Sequence, residues 1–264
     1  MYHCFYSAVE ESGKGFRIYL DRIVSRDLQS WSQPERLLSS PLGFSSPGNV
    51  LPVENGFVLC LQSYPIPEGE TYADGRCRLW LLDSPDLERF GQPRCIAPDG
   101  CTARWARTAR QIDPYLIRGK DAFYLLYKTD GCLGLLRSED LQHFEEASPR
   151  RPILSPEDTP DGSTVENPCV LLLDGVYYLF FSPCRAGRGI GLATSRDLLH
   201  WEGVAYLDFP SLPWAPGGPT APMVLDDRPR SGRWRMFFHG DIEGAHKAAL
   251  GQAVSEDLLH WEVV

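Results

Sequence analysis

Five short segments of this chain repeat one pattern: Ser25-Arg-Asp-Leu-Gln-Ser-Trp31, Ser84-Pro-Asp-Leu-Glu-Arg-Phe90, Ser138-Glu-Asp-Leu-Gln-His-Phe144, Ser195-Arg-Asp-Leu-Leu-His-Trp201 and Ser255-Glu-Asp-Leu-Leu-His-Trp261. Their serines lie 59, 54, 57 and 60 residues apart. A period of this size marks repeated supersecondary units, each too small to bury its own apolar face. Ser and Asp suit a short turn, since both side chains accept hydrogen bonds from nearby backbone N–H groups. The Leu and the aromatic residue would pin that turn to its unit. These residues are expected to hold structure and to carry no chemistry.

Ahead of each turn runs an aromatic or β-branched stretch: Gly56-Phe-Val-Leu-Cys-Leu61, Ala122-Phe-Tyr-Leu-Leu-Tyr127, Gly175-Val-Tyr-Tyr-Leu-Phe-Phe181 and Arg233-Trp-Arg-Met-Phe-Phe238. Such runs read as strands buried on both faces. Asp113-Pro-Tyr-Leu-Ile, Asn167-Pro-Cys-Val-Leu and Ala221-Pro-Met-Val-Leu each open an earlier strand, Pro being tolerated at a strand's first position. About four strands per repeat and five repeats predict an all-β chain, a five-bladed β-propeller. One domain over 1–264 is expected, with blades near 1–40, 41–98, 105–153, 160–209 and 214–264. The 22 prolines and 24 glycines fit turns between strands, and helices are expected to be nearly absent.

In a propeller the first strand of every blade lines the central channel, which gives one comparable site per blade. Registering the blades on their aromatic strands puts Pro114, Pro168 and Pro222 in one column. Around it stand Asp113, Glu166, and Thr220 with Ala221, while the second repeat offers Ser46, Pro47, Gly48 and Asn49. Two carboxyl groups at neighbouring channel strands suit glycoside hydrolysis, where one protonates the leaving oxygen and another group activates water or attacks the anomeric carbon. A further acid nearby raises the donor's pKa by like-charge repulsion.

The run Ile112-Asp113-Pro114, then Val165-Glu166-Asn167-Pro168, each followed by an aromatic strand and a Ser-x-Asp-Leu turn, resembles glycoside hydrolase family 43. The related family 32 and the wider clan of five-bladed furanosidases share this layout, and the resemblance spans essentially the whole chain. It implies a glycosidase acting on arabinose-, xylose- or related furanose-containing oligosaccharides, exo or endo, with inversion. It makes Glu166 the general acid and Asp113 the residue that tunes its pKa and orients it. The family's general base is a further Asp in the first blade.

Met1-Tyr-His-Cys-Phe-Tyr-Ser7 aligns without a gap to Val176-Tyr-Tyr-Leu-Phe-Phe-Ser182. The first blade is therefore expected to lack its innermost strand, the one that would carry the base. Either Met1 is an internal residue of a longer chain, or the strand was lost. The second case leaves a non-catalytic carbohydrate-binding propeller, or an enzyme that recruits Asp241 or Asp21.

Other candidates surround the acids. Trp105, Arg107 and Arg110 lead into Asp113, and a guanidinium offers a rigid fork of donors to hydroxyls or a carboxylate. Trp214 enters the fifth blade with an indole face of the kind sugars stack on. Ser46 and Asn49 offer neutral polar groups. Thr220 stands at the column, and His239 ends a buried strand. No cofactor is expected; a structural channel ion such as calcium is compatible with the layout.

A net charge of −9 argues against a nucleic-acid partner, whose affinity rests on Lys and Arg. No apolar run is long enough to span a bilayer, and Met1-Tyr2-His3-Cys4 lacks the features of a secretory leader. The eight cysteines show no CxxC pair and no zinc spacing. Free thiols and a cytoplasmic setting follow as expectations.

Overall fold

The computed structural model describes residues 1–12, 15–45, 48–184, 189–242 and 248–264. The fold is all-β. The first sheet holds β1 (Tyr2–Ser12), β2 (Gly15–Ser25) and β3 (Glu35–Leu38), in that order. The second holds β4 (Phe44–Ser45), β5 (Val50–Val53), β6 (Gly56–Ser63), β7 (Arg78–Ser84) and β8 (Arg94–Cys95), with β4 and β5 both paired to β6. The third runs β9 (Ile112–Arg118), β10 (Phe123–Thr129), β11 (Cys132–Ser138), β12 (Glu145–Glu146). The fourth is β13 (Thr164–Leu173), β14 (Val176–Cys184), β15 (Gly191–Ser195), β16 (Trp201–Tyr206). The fifth is β17 (Thr220–Asp226), β18 (Trp234–Asp241), β19 (Ala248–Ser255), β20 (Glu262–Val263). These are the five blades that the repeat predicts. Helix is confined to a 3-10 turn, Pro156–Asp158, and α1, Arg228–Ser231, among the described residues.

The repeated turn follows the third strand of every four-stranded blade. In the first sheet it follows β2, so β1 and β2 correspond to second and third strands. The described first sheet has three strands, as the alignment of Met1 with Val176 predicts.

The turn geometry explains its sequence. Leu28, Leu87, Leu141, Leu198 and Leu258 all have φ between 61° and 69°. A left-handed Leu costs roughly 1–2 kcal/mol, so something must offset it. In the fourth blade the Ser195 hydroxyl accepts from the Asp197 and Leu198 N–H groups, and Asp197 Oδ1 accepts from Leu199 and His200. The same bonds recur from Ser255 and Asp257. The indoles of Trp201 and Trp261 donate to the carbonyls of Leu198 and Leu258.

The chain divides into two compact units, 1–130 with 136–151, and 131–135 with 152–264. The first is cored by Val58, Cys60, Leu79, Leu81, Leu116, Leu125 and Tyr127. The second is built around Phe180, Phe181, Met236 and Phe238, which are buried. Burial on both faces, expected for all the aromatic strands, fits β6 but not β18, where buried and half-buried residues alternate.

Candidate functional site

The column of prolines is a column of bulges. Opposite Lys128 and Leu126 stand Ile112 and Tyr115; opposite Ser182 and Phe180 stand Glu166 and Cys169; opposite His239 and Phe237 stand Thr220 and Met223. Each first strand thus carries one extra residue at its X-Pro step. X is left-handed every time: Asp113 at φ 53°, Asn167 at 52°, Ala221 at 51°. Pro follows because a bulge leaves its nitrogen without a ladder bond to make. The prolines were expected at first strand positions; the strands in fact begin earlier, at Ile112, Thr164 and Thr220.

This register sharpens the relation between the two acids. Asp113 is equivalent to Asn167 and Ala221, whereas Glu166 is equivalent to Ile112 and Thr220. The acids occupy adjacent positions of the repeat and do not share one.

In the first unit, blade two clamps the start of β9. The Asp113 N–H donates to Gln62 Oε1 at 2.6 Å, and the buried Gln62 points its Nε2 to Ser45 Oγ at 3.5 Å. A Cβ on Gly48 would lie 1.6 Å from the Pro114 carbonyl oxygen, so only glycine allows this approach. Asn49 Oδ1 accepts from the Leu116 N–H and its Nδ2 donates to the Leu116 carbonyl, both at 2.8 Å. The amide expected to meet substrate is thus committed to backbone. Ser46 lies outside the described residues.

Arg110 donates to the Tyr64 hydroxyl at 3.3 Å, its guanidinium 5.5 Å from the ring centre. Burial alone would lower its pKa, but Cys77, Tyr64 and Asp113 more than offset this and leave it raised. The same burial pushes the Cys77 thiol and Tyr64 phenol upward. Arg107 is exposed and offers its backbone N–H to Asp130 Oδ2 at 2.6 Å. The Trp105 indole N–H donates to the Ser148 carbonyl at 2.8 Å.

In the second unit Ser182 is the hub. It faces Glu166 across the ladder, and its hydroxyl accepts from the Ala221 N–H at 2.8 Å and from Asn167 Nδ2 at 3.3 Å. Glu166 is half-buried. Thr220 is buried opposite His239, whose Nε2 lies 3.1 Å from Asp241 Oδ1. Trp214 stacks on Phe238 at 6.2 Å, and its ring covers Gly240 and Gly251 so closely that a Cβ on either would strike it. It packs as core.

The bulges expose a second column, of which the sequence reading singled out only His239: Lys128, Ser182 and His239, each opposite the residue before X-Pro. Gln62, opposite Ser45, holds the matching place in blade two. The signal was present as a polar residue ending an aromatic strand: Tyr127-Lys128, Phe181-Ser182, Phe238-His239. Among the described residues no three His, Cys, Asp or Glu side chains gather into a metal-binding group, so no ligands are assigned to a channel ion. Cys60, Cys77 and Cys169 are buried and Cys184 is exposed.

No family model and no curated protein matches this chain. Solved structures do. An exo-1,5-α-L-arabinanase from a bovine ruminal metagenomic library is 14% identical, covers 98% of this chain and 95% of its own, and has a TM-score of 0.66. A thermostable family-43 glycoside hydrolase is 18% identical, with 99% and 93% covered and a TM-score of 0.61. An endo-arabinase from Bacteroides thetaiotaomicron is 19% identical, with 83% and 78% covered and a TM-score of 0.60. At these identities the likeness is one of fold.

Proposed function

We propose that this chain is a glycoside hydrolase of the family-43 type, acting on arabinose-, xylose- or related oligosaccharides with inversion. The observation that carries the reading is the bulge register. It sets one acid at the left-handed X of X-Pro in blade three and another immediately before it in blade four, on a fold shared with arabinanases. In this reading Glu166, as the neutral acid, gives its proton to the glycosidic oxygen as the C–O bond breaks. Water adds to the anomeric carbon from the opposite face and yields its own proton to a base. Asp113 tunes and orients the acid.

The resemblance assigns the base to the first strand of the first blade, a position with no counterpart in the three-stranded sheet β1-β2-β3. A second reading is a propeller that binds carbohydrate without turnover. A panel of aryl glycosides separates the two. Hydrolysis by the wild-type chain, lost in a folded Glu166→Gln variant, supports the enzyme. Calorimetric binding of oligosaccharides without turnover supports the binder. Unchanged hydrolysis in Glu166→Gln removes Glu166 from the acid role.

A further inference from the structure

We propose that His239 is the general base of the hydrolysis, with Asp241 as the residue that positions it; this rests on the glycosidase reading. Both stand at the end of β18 with one residue between them, and so on one face of the strand. His239 Nε2 lies 3.1 Å from Asp241 Oδ1. Their side chains are 37% and 53% exposed, so water reaches both. A carboxylate beside one ring nitrogen favours the tautomer that carries its proton there and leaves the lone pair on the other. Nδ1 is then the atom that takes a proton.

Packing holds the pair in place. A Cβ on Gly240, between them, would point to the other face and lie 2.6 Å from the Trp214 ring. Trp214 stacks in turn on the buried Phe238. The indole thus closes one face of the strand end and leaves the opposite one to His239 and Asp241. β17 meets His239 with Thr220 and β19 meets it with Leu250, neither of which ionises. A group carried on a packed strand is held more exactly than one on a loop.

His239 also stands level with the candidate acid, within the second unit. Glu166 is opposite Ser182, and Thr220 is opposite His239. The Ser182 hydroxyl accepts from the N–H of Ala221, the neighbour of Thr220, so one bond joins the two registers. Packed sheets lie about 10 Å apart. The carboxyl groups of an inverting pair stand about 6.5–9.5 Å apart to admit water. Long side chains at one level on sheets so spaced can bracket a water. That water forms the new bond to the anomeric carbon and passes its proton to Nδ1, as Glu166 protonates the leaving oxygen. The imidazolium formed beside the Asp241 carboxylate then returns its proton to solvent.

The test follows aryl glycoside hydrolysis in two variants. His239→Gln should lower kcat about a hundredfold or more, with KM little changed. Azide attacks the anomeric carbon without a proton to lose. It should therefore restore release of the aryl group from His239→Gln, forming a glycosyl azide of inverted configuration. Asp241→Asn should move the acidic limb of the kcat/KM profile to lower pH. A neighbouring carboxylate favours imidazolium, and a base acts only when neutral. Asp241 is more than half exposed, so Asp241→Asn reports even if His239→Gln does not fold. An acidic limb that stays in place in Asp241→Asn overturns the proposal. So does a folded His239→Gln that keeps the wild-type kcat, or whose loss azide does not restore. Unchanged hydrolysis in Glu166→Gln beside a lost rate in His239→Gln removes the acid and keeps the base. A wild-type chain that cleaves no glycoside overturns both.

Discussion

The Asp113 N–H donates to the side-chain oxygen of Gln62 across 2.6 Å, tying the left-handed residue of one blade to the second strand of the blade before it. The Ala221 N–H does the same with the Ser182 hydroxyl at 2.8 Å. A left-handed non-glycine residue is disfavoured by sterics, and its amide has left the ladder. A side chain from the preceding blade meets both costs at once. In blade three the bond that supports the bulge is thus also the one that fixes Asp113.

Gln62→Ala should therefore affect more than stability. Losing the acceptor strands the Asp113 amide, at a cost of about 1–3 kcal/mol, and frees the φ of Asp113. Denaturant midpoints measure the first effect. The second should appear as a fall in kcat on aryl glycosides larger than the stability loss explains, with Gln62→Glu, which keeps an oxygen acceptor, falling less.

Asp113→Asn should change how activity depends on pH. A neighbouring carboxylate favours the neutral form of a general acid. Removing that charge should move the alkaline limb of the kcat/KM profile to lower pH. A profile that drops in height but keeps both limbs in place would show that Asp113 does not tune the acid.

Gly48→Ala should be among the most damaging single changes in the first unit. A new Cβ 1.6 Å from the Pro114 oxygen requires backbone to move. Overpacking of this kind costs about 1–3 kcal/mol and often more. Loss of soluble protein, or a thermal midpoint lowered well beyond that of Gly217→Ala, whose Cβ would meet nothing within 4 Å, would bear this out.

Acid should loosen the blade turns together. The N–H groups of Arg89 and Glu88 hold the Asp86 carboxyl at about 2. Asp140 and Asp257 are lowered by their His143 and His260 partners and by backbone N–H groups. In Asp197 burial pushes upward, yet His200 and the backbone bring it to about 2. Carboxyls lowered on folding stabilise the native state above their unfolded value, and that contribution fades as pH falls through the folded one. For Asp86 and Asp197 the window runs from 3.8 down to about 2. Urea midpoints should hold from pH 7 to about 4 and fall below that. A variant carrying Asp86→Asn and Asp197→Asn should show a shallower fall.

Ser195→Ala tests the turn from its other side. The Ser195 hydroxyl is buried and serves two backbone N–H groups. Its removal should cost about 1–3 kcal/mol, read as a lowered urea midpoint.

Much of the fold was legible because it rests on local chemistry repeated five times. Ser and Asp acceptors at fixed offsets, an aromatic strand before each turn and the spacing of the serines determined an all-β chain of five blades. They also located Asp113 and Glu166 at first strands. Local pattern could not reveal that Leu28 and its equivalents are left-handed, since Leu has no such preference of its own. Nor could it give the bulge: an X-Pro pair reads equally well as a strand start, and only the partner strand counts the extra residue. The tertiary structure alone committed Asn49 to Leu116, Trp214 to Phe238 and Trp105 to Ser148. It likewise joined the Ser182 hydroxyl to the Ala221 N–H. Those assignments join segments far apart in the chain, and a hydrogen bond or ring contact between them exists only once packing has chosen the neighbours.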